Sequence, residues 1–177
     1  MPDLIERGVI QSFEVAEQLF GYTYHALMVP PYPMTSALFL GFGQGQVPAL
    51  MEKIWPVGCE IVGVDKNHPG EPVHNCSVFF QKNAEDFARI SERVYDFVCI
   101  DIYDGNKVPK FVFSKEFVKD ISRITGKMLA VNATFTDWFE WEPYDEHFLI
   151  DCVKQANLDR VCFFVPKAAD PIAELTK

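Results

Sequence analysis

Two aspartates three positions apart are the clearest candidates for chemistry in this chain. Asp101 and Asp104 follow the apolar run YDFVCI at residues 95–100, whose composition predicts a buried strand. Open α/β sheets bind ligands at the carboxyl ends of their parallel strands. Paired carboxylates there predict a cationic or amine substrate, with one carboxylate acting as a base or orienting a nucleophile. Alternatively, the stretch from Asp104 to Asn106 forms only a turn, which its composition also favours.

A glycine-rich turn supplies a second candidate site. The apolar run ALFLG at residues 37–41 leads directly into Gly43, Gln44 and Gly45, and a helix is predicted from Gln46 onward. Glycine lets the backbone approach a ligand closely, and the start of a helix offers N–H groups to it. A dinucleotide fingerprint would place a further glycine where Gln46 stands. The turn therefore suits a nucleoside ligand without a pyrophosphate.

Asp65 is placed to complete such a nucleoside site. It ends the predicted strand EIVGVD at residues 60–65 and lies twenty residues beyond Gly45. An acid at that distance from a glycine turn can accept hydrogen bonds from ribose hydroxyls. The turn and Asp65 together predict nucleoside binding.

The elements that must position these residues alternate along the chain, which indicates a mostly parallel sheet with helices on both faces. Apolar spacing also looks helical over residues 10–28, before Pro30 and Pro31 end it. Ser114 is positioned to cap the helix predicted at 113–124. Strands are predicted at 37–41, 60–65, 77–80, 95–101, 127–133, 159–166 and, weakly, 172–177, and helices at about 46–55, 84–92, 113–124 and 143–157.

Composition limits the classes of function. The chain has 177 residues, is 49% hydrophobic and carries a formal charge of -9, which argues against disorder and against binding to a nucleic acid backbone. We expect a single domain over residues 1–177, with residues 1–32 as a helical or extended lead-in. Five scattered cysteines fit a reduced interior. No signal peptide or membrane segment is recognised, so we expect a cytoplasmic protein without membrane partners.

These motifs resemble the nucleoside-binding core of class I S-adenosylmethionine-dependent methyltransferases, and more closely the spermidine synthase family that shares its fold. The resemblance begins upstream with the segment from Gly8 to Gln11 and with Tyr24-His25. Downstream it includes the D-x-x-D of residues 101–104 and the FSKEF of residues 113–117. It covers about residues 8–177 and implies an α/β, doubly wound, Rossmann-like sheet with an antiparallel last strand.

The resemblance also implies roles for individual residues. Asp101 would be the base or orienting group for an attacking amine, Asp104 would help to bind that amine, and Tyr24 would support the nucleophile. His25 is either a ligand contact or a core histidine. The implied contacts to S-adenosylmethionine, or to its decarboxylated form, are Gln11, His25, Gly41, Gly43, Gln44, Gly45, Asp65, Asn83 and Ala84.

Several positions differ from the spermidine synthase pattern. Gln44 replaces the aspartate that faces the aminopropyl end of decarboxylated S-adenosylmethionine, so the full methionine tail could be accommodated instead. Asn83 replaces an aspartate that reads the adenine amino group and can still accept that hydrogen bond. After Asp104 the family's proline-rich gate is replaced by a segment that could place Lys107 near the site. We also expect most of the family's N-terminal β-domain to be lacking.

The sequence leaves two principal hypotheses. The first is a transferase that moves a methyl or aminopropyl group to an amine or other small acceptor, a polyamine precursor among them. The second is a non-catalytic module that binds an adenosyl ligand. An NAD-dependent oxidoreductase is disfavoured by Gln46. No metal is expected, because the spacing of His68, Glu71 and His74 matches no familiar ligand pattern. Aromatic residues between 135 and 144 could shape an acceptor pocket, and core or lid packing explains them equally well. Exposed aromatics also suggest a homodimer.

Overall fold

A seven-stranded sheet flanked by helices forms the body of the computed structural model. The structure describes residues 4–6, 9–12, 25, 28–68, 70, 76–105, 107–132, 148–149 and 161–166, the first two and last two of these ranges by backbone alone. The strands are β1 Leu4–Glu6, β2 Val9–Ser12, β3 Ser36–Leu40, β4 Glu60–Asp65, β5 Val78–Gln81, β6 Tyr95–Ile100, β7 Thr125–Asn132, β8 Phe148–Leu149 and β9 Val161–Pro166.

The order of strands across the sheet is β5-β4-β3-β6-β7-β9-β8. The first five run parallel to one another, whereas β9 pairs antiparallel with β7 and with β8. From β3 the chain adds β4 and β5 on one side of the sheet and then crosses to add β6 and β7 on the other side. Open α/β sheets bind ligands at such a reversal, which here lies at the carboxyl ends of β3 and β6. The predicted doubly wound, mostly parallel sheet with an antiparallel strand is confirmed.

Alternate strand residues point to opposite sides of the sheet, and apolar residues on both sides are buried. Leu38 and Leu40 belong to one apolar cluster, which also contains buried residues of the helices α2 Ala84–Ile90 and α3 Lys115–Ile124. Phe39, one residue out of phase, belongs to a second cluster with the helix α1 Gln46–Ile54. The helices therefore cover both faces, as the alternation of elements predicted.

Side-chain caps explain where two of the helices begin. The Asn83 Oδ1 accepts a hydrogen bond from the Glu85 N–H at 2.9 Å and starts α2. The Ser114 Oγ likewise accepts from the Phe117 N–H at 3.2 Å and starts α3, as predicted, after a short 3-10 helix at Lys110–Phe113. Each cap satisfies an amide that has no partner within its helix.

Two sequence predictions of helix are wrong where the structure describes the chain. The helical spacing over residues 10–28 is wrong for residues 10–12, which lie in β2 and pair antiparallel with β1, as the extended alternative for this lead-in allowed; β-branched Val9 and Ile10 favour that pairing over a helix. Residues 148–149, expected within a helix, form β8 against β9. In both places a strand partner outweighs local helical spacing. The remainder of the 143–157 prediction and the weak strand at 172–177 lie outside the described residues.

A helix must be long and apolar to span a membrane. Among the helices of the described residues, the longest is α3 with ten residues, and none is long and apolar enough to cross a bilayer.

Candidate functional site

A cavity of about 260 Å³ opens at the carboxyl ends of β3, β4 and β6. Its walls come from the turn after β3, the end of β4, the start of α2 and the segment that follows β6. These elements are far apart in sequence, and the parallel sheet brings their ends to one edge. Of the predicted site residues, those that line the cavity are His25, Gly41, Gly43, Asp65, Asn83, Ala84, Asp101 and Asp104.

The glycine turn brings β3 against the segment after β6. Gly41 has φ of 82°, a left-handed conformation that favours glycine. A Cβ atom at Gly41 would lie 2.1 Å from the carbonyl oxygen of Asp101. The Asp101 N–H donates to the Leu40 carbonyl at 2.9 Å. Gly41 is therefore required for the close approach that places Asp101 beside the turn.

Asp65 links the same turn to the end of β4 by a hydrogen bond. One of its carboxylate oxygens accepts a hydrogen bond from the Gly43 N–H at 3.0 Å, and the other accepts from the Asn67 N–H at 3.0 Å. A carboxylate has about four acceptor positions, so these two bonds leave capacity for a diol. Asp65 both shapes the turn and remains chemically suited to ribose hydroxyls.

Asn132 is a site residue that sequence reasoning missed. It ends β7, is 1% exposed, and its Nδ2 donates to the Asp101 Oδ1 at 3.0 Å. The two residues are 31 positions apart, so no local pattern links them. A polar residue at the carboxyl end of a predicted parallel strand was the one available signal.

Asp104 fits both interpretations of its sequence. Its N–H donates to the Lys107 carbonyl at 2.9 Å, and Gly105 has φ of 65°, so the segment is a tight turn. Asp104 nevertheless lines the cavity together with Asp101. Lys107, which was expected near the site, is exposed and is not among the described residues of the cavity wall.

Two buried groups in the cavity wall stay uncharged near neutral pH. Burial lowers the pKa of His25 to about 4. Burial, and then the nearby negative charge of Asp101, raises the pKa of the Cys99 thiol well above its usual range. His25 therefore presents a neutral imidazole to the cavity, and Cys99 is a thiol rather than a nucleophilic thiolate.

The two glutamines of the glycine turn lie differently from expectation. Gln44 and Gly45 are buried but are not among the described residues that line the cavity. The Gly45 N–H donates to the Phe42 carbonyl at 3.0 Å, and in this closed turn the Gln44 side chain lies in the interior. Gln46, whose signal was only the absence of a fingerprint glycine, lines the cavity at the first residue of α1. Tyr24 and the Gln11 side chain lie outside the described residues, as do the aromatics of 135–144.

The charge of the cavity wall is mainly negative. Its described residues include three aspartates, at 65, 101 and 104, and one lysine, Lys66. Nearby negative charges favour a cationic ligand. Nowhere among the described residues do three His, Cys, Asp or Glu side chains gather as they would to hold a metal ion.

Comparison with solved structures shows the fold. A methyltransferase from Geobacter sulfurreducens superposes with a TM-score of 0.55 at 11% identity, over 80% of this chain and 75% of that one. The spermidine synthase from Thermotoga maritima gives 0.52 at 14% identity, over 85% of this chain and 60% of that one. A conserved hypothetical protein from Streptococcus pyogenes gives 0.57 at 15% identity, over 80% and 92%. No protein-family model and no curated protein sequence matches the chain.

Proposed function

We propose that this protein binds an adenosyl sulfonium, S-adenosylmethionine or its decarboxylated form, and transfers an alkyl group from it to a small amine. One observation carries the proposal: a single cavity contains the glycine turn, the anchored Asp65 and the pair Asp101 and Asp104. The fold shared with methyltransferases and spermidine synthases supports it.

The cavity residues divide the work of such a reaction. A bound sulfonium would supply an activated methyl or aminopropyl carbon. The cationic amine would first give a proton to a carboxylate, and the freed nitrogen lone pair would then form the C–N bond while the C–S bond breaks with its electrons on sulfur. Asp101 is the carboxylate that we assign to orient the amine and take its proton. Asp104 helps to hold the cationic amine, and Asp65 binds the ribose diol.

The start of α1 favours a ligand that keeps its carboxylate. α1 has no side-chain cap and no acidic residue in its first turn, and Gln46 and Val47 of that turn line the cavity. The positive end of the helix dipole lies at this first turn and attracts an anion. The carboxylate of S-adenosylmethionine would be stabilised there, which favours methyl transfer. Asp101 and Asp104 together favour the second candidate, aminopropyl transfer to a diamine.

Calorimetric titration tests the proposal directly. Ligand-free protein is titrated with S-adenosylmethionine, decarboxylated S-adenosylmethionine, methylthioadenosine and NAD. We expect the adenosyl ligands to bind and NAD to bind weakly or not at all, because Gln46 occupies the position of a fingerprint glycine. Absence of binding by all three adenosyl ligands would refute the proposal. Tighter binding of the decarboxylated form would assign aminopropyl transfer.

A matched pair of variants assigns the binding to this cavity. Asp65→Asn should weaken adenosyl binding about 10- to 100-fold, because it removes a charged hydrogen-bond acceptor for the ribose. Asp86→Asn makes the same change on the exposed surface of α2 and should leave the dissociation constant unchanged. Equal affinities for the two variants would place the ligand elsewhere.

The variant Asp101→Asn distinguishes an enzyme from a non-catalytic module that only binds the adenosyl ligand. With labelled S-adenosylmethionine or its decarboxylated form and a panel of small amines, the wild-type protein should transfer label and Asp101→Asn should lose most of that transfer. A protein that binds the ligand tightly but transfers label to no amine of the panel would instead be the binding module.

A further inference from the structure

The contact between Asn132 and Asp101 joins two strand ends at the cavity. The Asn132 Nδ2 lies 3.0 Å from the Asp101 Oδ1, and Asn132 is 1% exposed. An ionised carboxylate accepts hydrogen bonds and donates none, so an amide beside it must present its NH₂ group. The contact is therefore directional: Asn132 donates to one defined carboxylate oxygen.

The surrounding backbone leaves Asp101 few other orientations. Its N–H donates to the Leu40 carbonyl at 2.9 Å, and its carbonyl oxygen lies 2.1 Å from the position that a Cβ of Gly41 would take. Asn132 itself is fixed by the pairing of β7 with β9, in which it lies opposite Val161. The main chain of Asp101 is thus held against β3, and the end of β7 supplies a hydrogen bond to its side chain.

We infer that Asn132 is a positioning residue that holds the Asp101 carboxylate toward the cavity, so that its charge faces the sulfonium and the acceptor amine. This inference rests on the proposed function. Replacing Asn132 by leucine, which is similar in size but donates no hydrogen bond, would remove this directional restraint and shift the carboxylate. A displacement of about 1 Å at a reacting group is enough to lower a rate about 100-fold.

A double-mutant cycle on ligand charge tests the inference. The measured quantity is the ratio of the dissociation constant of S-adenosylhomocysteine, a neutral thioether, to that of S-adenosylmethionine, its sulfonium. We expect a wild-type ratio well above one, a roughly tenfold lower ratio in Asp101→Asn and in Asn132→Leu, and no further fall in the double variant, because coupled residues are not additive.

The outcomes separate this inference from the proposed function. If neither ligand binds the wild-type protein, the proposed function fails and takes the inference with it. If both bind, the inference is overturned by a wild-type ratio near one, by an Asn132→Leu ratio within twofold of wild type, or by additive effects in the double variant.

Thr125→Val is the matched structural control. Thr125 lies at the other end of β7, is 5% exposed, and its hydroxyl donates to the Ile121 carbonyl at 2.7 Å. This variant also removes a buried hydrogen bond from β7, yet it should leave the ratio unchanged. A fall in the ratio equal to that of Asn132→Leu would show a general effect of loosening the strand and would overturn the positioning role.

Discussion

Replacing Gly41 by alanine should damage both the stability and the site of this protein. Gly41 has φ of 82°, which costs a residue with a Cβ about 1–2 kcal/mol. The new Cβ would also lie 2.1 Å from the Asp101 carbonyl oxygen, and relief of such a contact by backbone shifts costs about 1–3 kcal/mol more. We therefore expect a loss of about 2–5 kcal/mol in the free energy of unfolding.

The variant Gly70→Ala separates the backbone cost of a positive φ from the cost of the steric contact. Gly70 has φ of 71°, and a Cβ there would meet nothing within 4 Å. Gly70→Ala should therefore show the conformational cost without the contact. Alanine also reduces the entropy of the unfolded chain, and that gain is the same at both positions.

Urea denaturation of the two variants provides the measurement. We expect Gly41→Ala to be about 1–3 kcal/mol less stable than Gly70→Ala, and to bind adenosyl ligands more weakly because Asp101 must move. Stabilities within about 0.5 kcal/mol of each other would refute the argument that Gly41 exists to admit the Asp101 carbonyl.

Three further predictions concern other parts of the structure. Asn83→Ala should cost about 1 kcal/mol in urea denaturation because the Glu85 amide loses its cap, and Asn83→Ser should restore most of that loss; equal stability of both variants would contradict the capping role. Burial lowers the pKa of His25 to about 4 in the folded protein, against an ordinary 6.5, so the unfolded chain binds the proton more readily. The contribution of His25 to the free energy of unfolding is therefore fully present above pH 6.5 and is lost as the pH falls toward 4. The loss from this group should be about 2 kcal/mol between pH 7 and pH 5, and His25→Gln should show a correspondingly shallower pH dependence in the same denaturation series. Arg123 donates to the carbonyls of Ala88, Arg89 and Ser91 at the end of α2, so Arg123→Met should cost about 1–2 kcal/mol, whereas Arg89→Met on the exposed face of α2 should change the unfolding midpoint little.

Local sequence was sufficient for most of the central fold. The run at 37–41 followed by glycines predicted β3 and its turn, and Ser114 predicted the start of α3, because strand composition and helix caps act over a few neighbouring residues. Predictions were wrong at residues 10–12 and 148–149, where strands form against partners elsewhere in the chain. Such partners are invisible to the spacing of apolar residues.

The same division applies to the candidate site. The sequence by itself determined that Asp65 ends one strand, that Asp101 lies at the end of the YDFVCI run and that glycines follow β3, since each property depends on adjacent residues. Only the tertiary structure decided that Gln46 rather than Gln44 lines the cavity, and that Asn132 holds Asp101 across 31 positions of chain. The physical reason is that side-chain contacts depend on which strands are neighbours and on which way each turn closes, and long-range packing sets both.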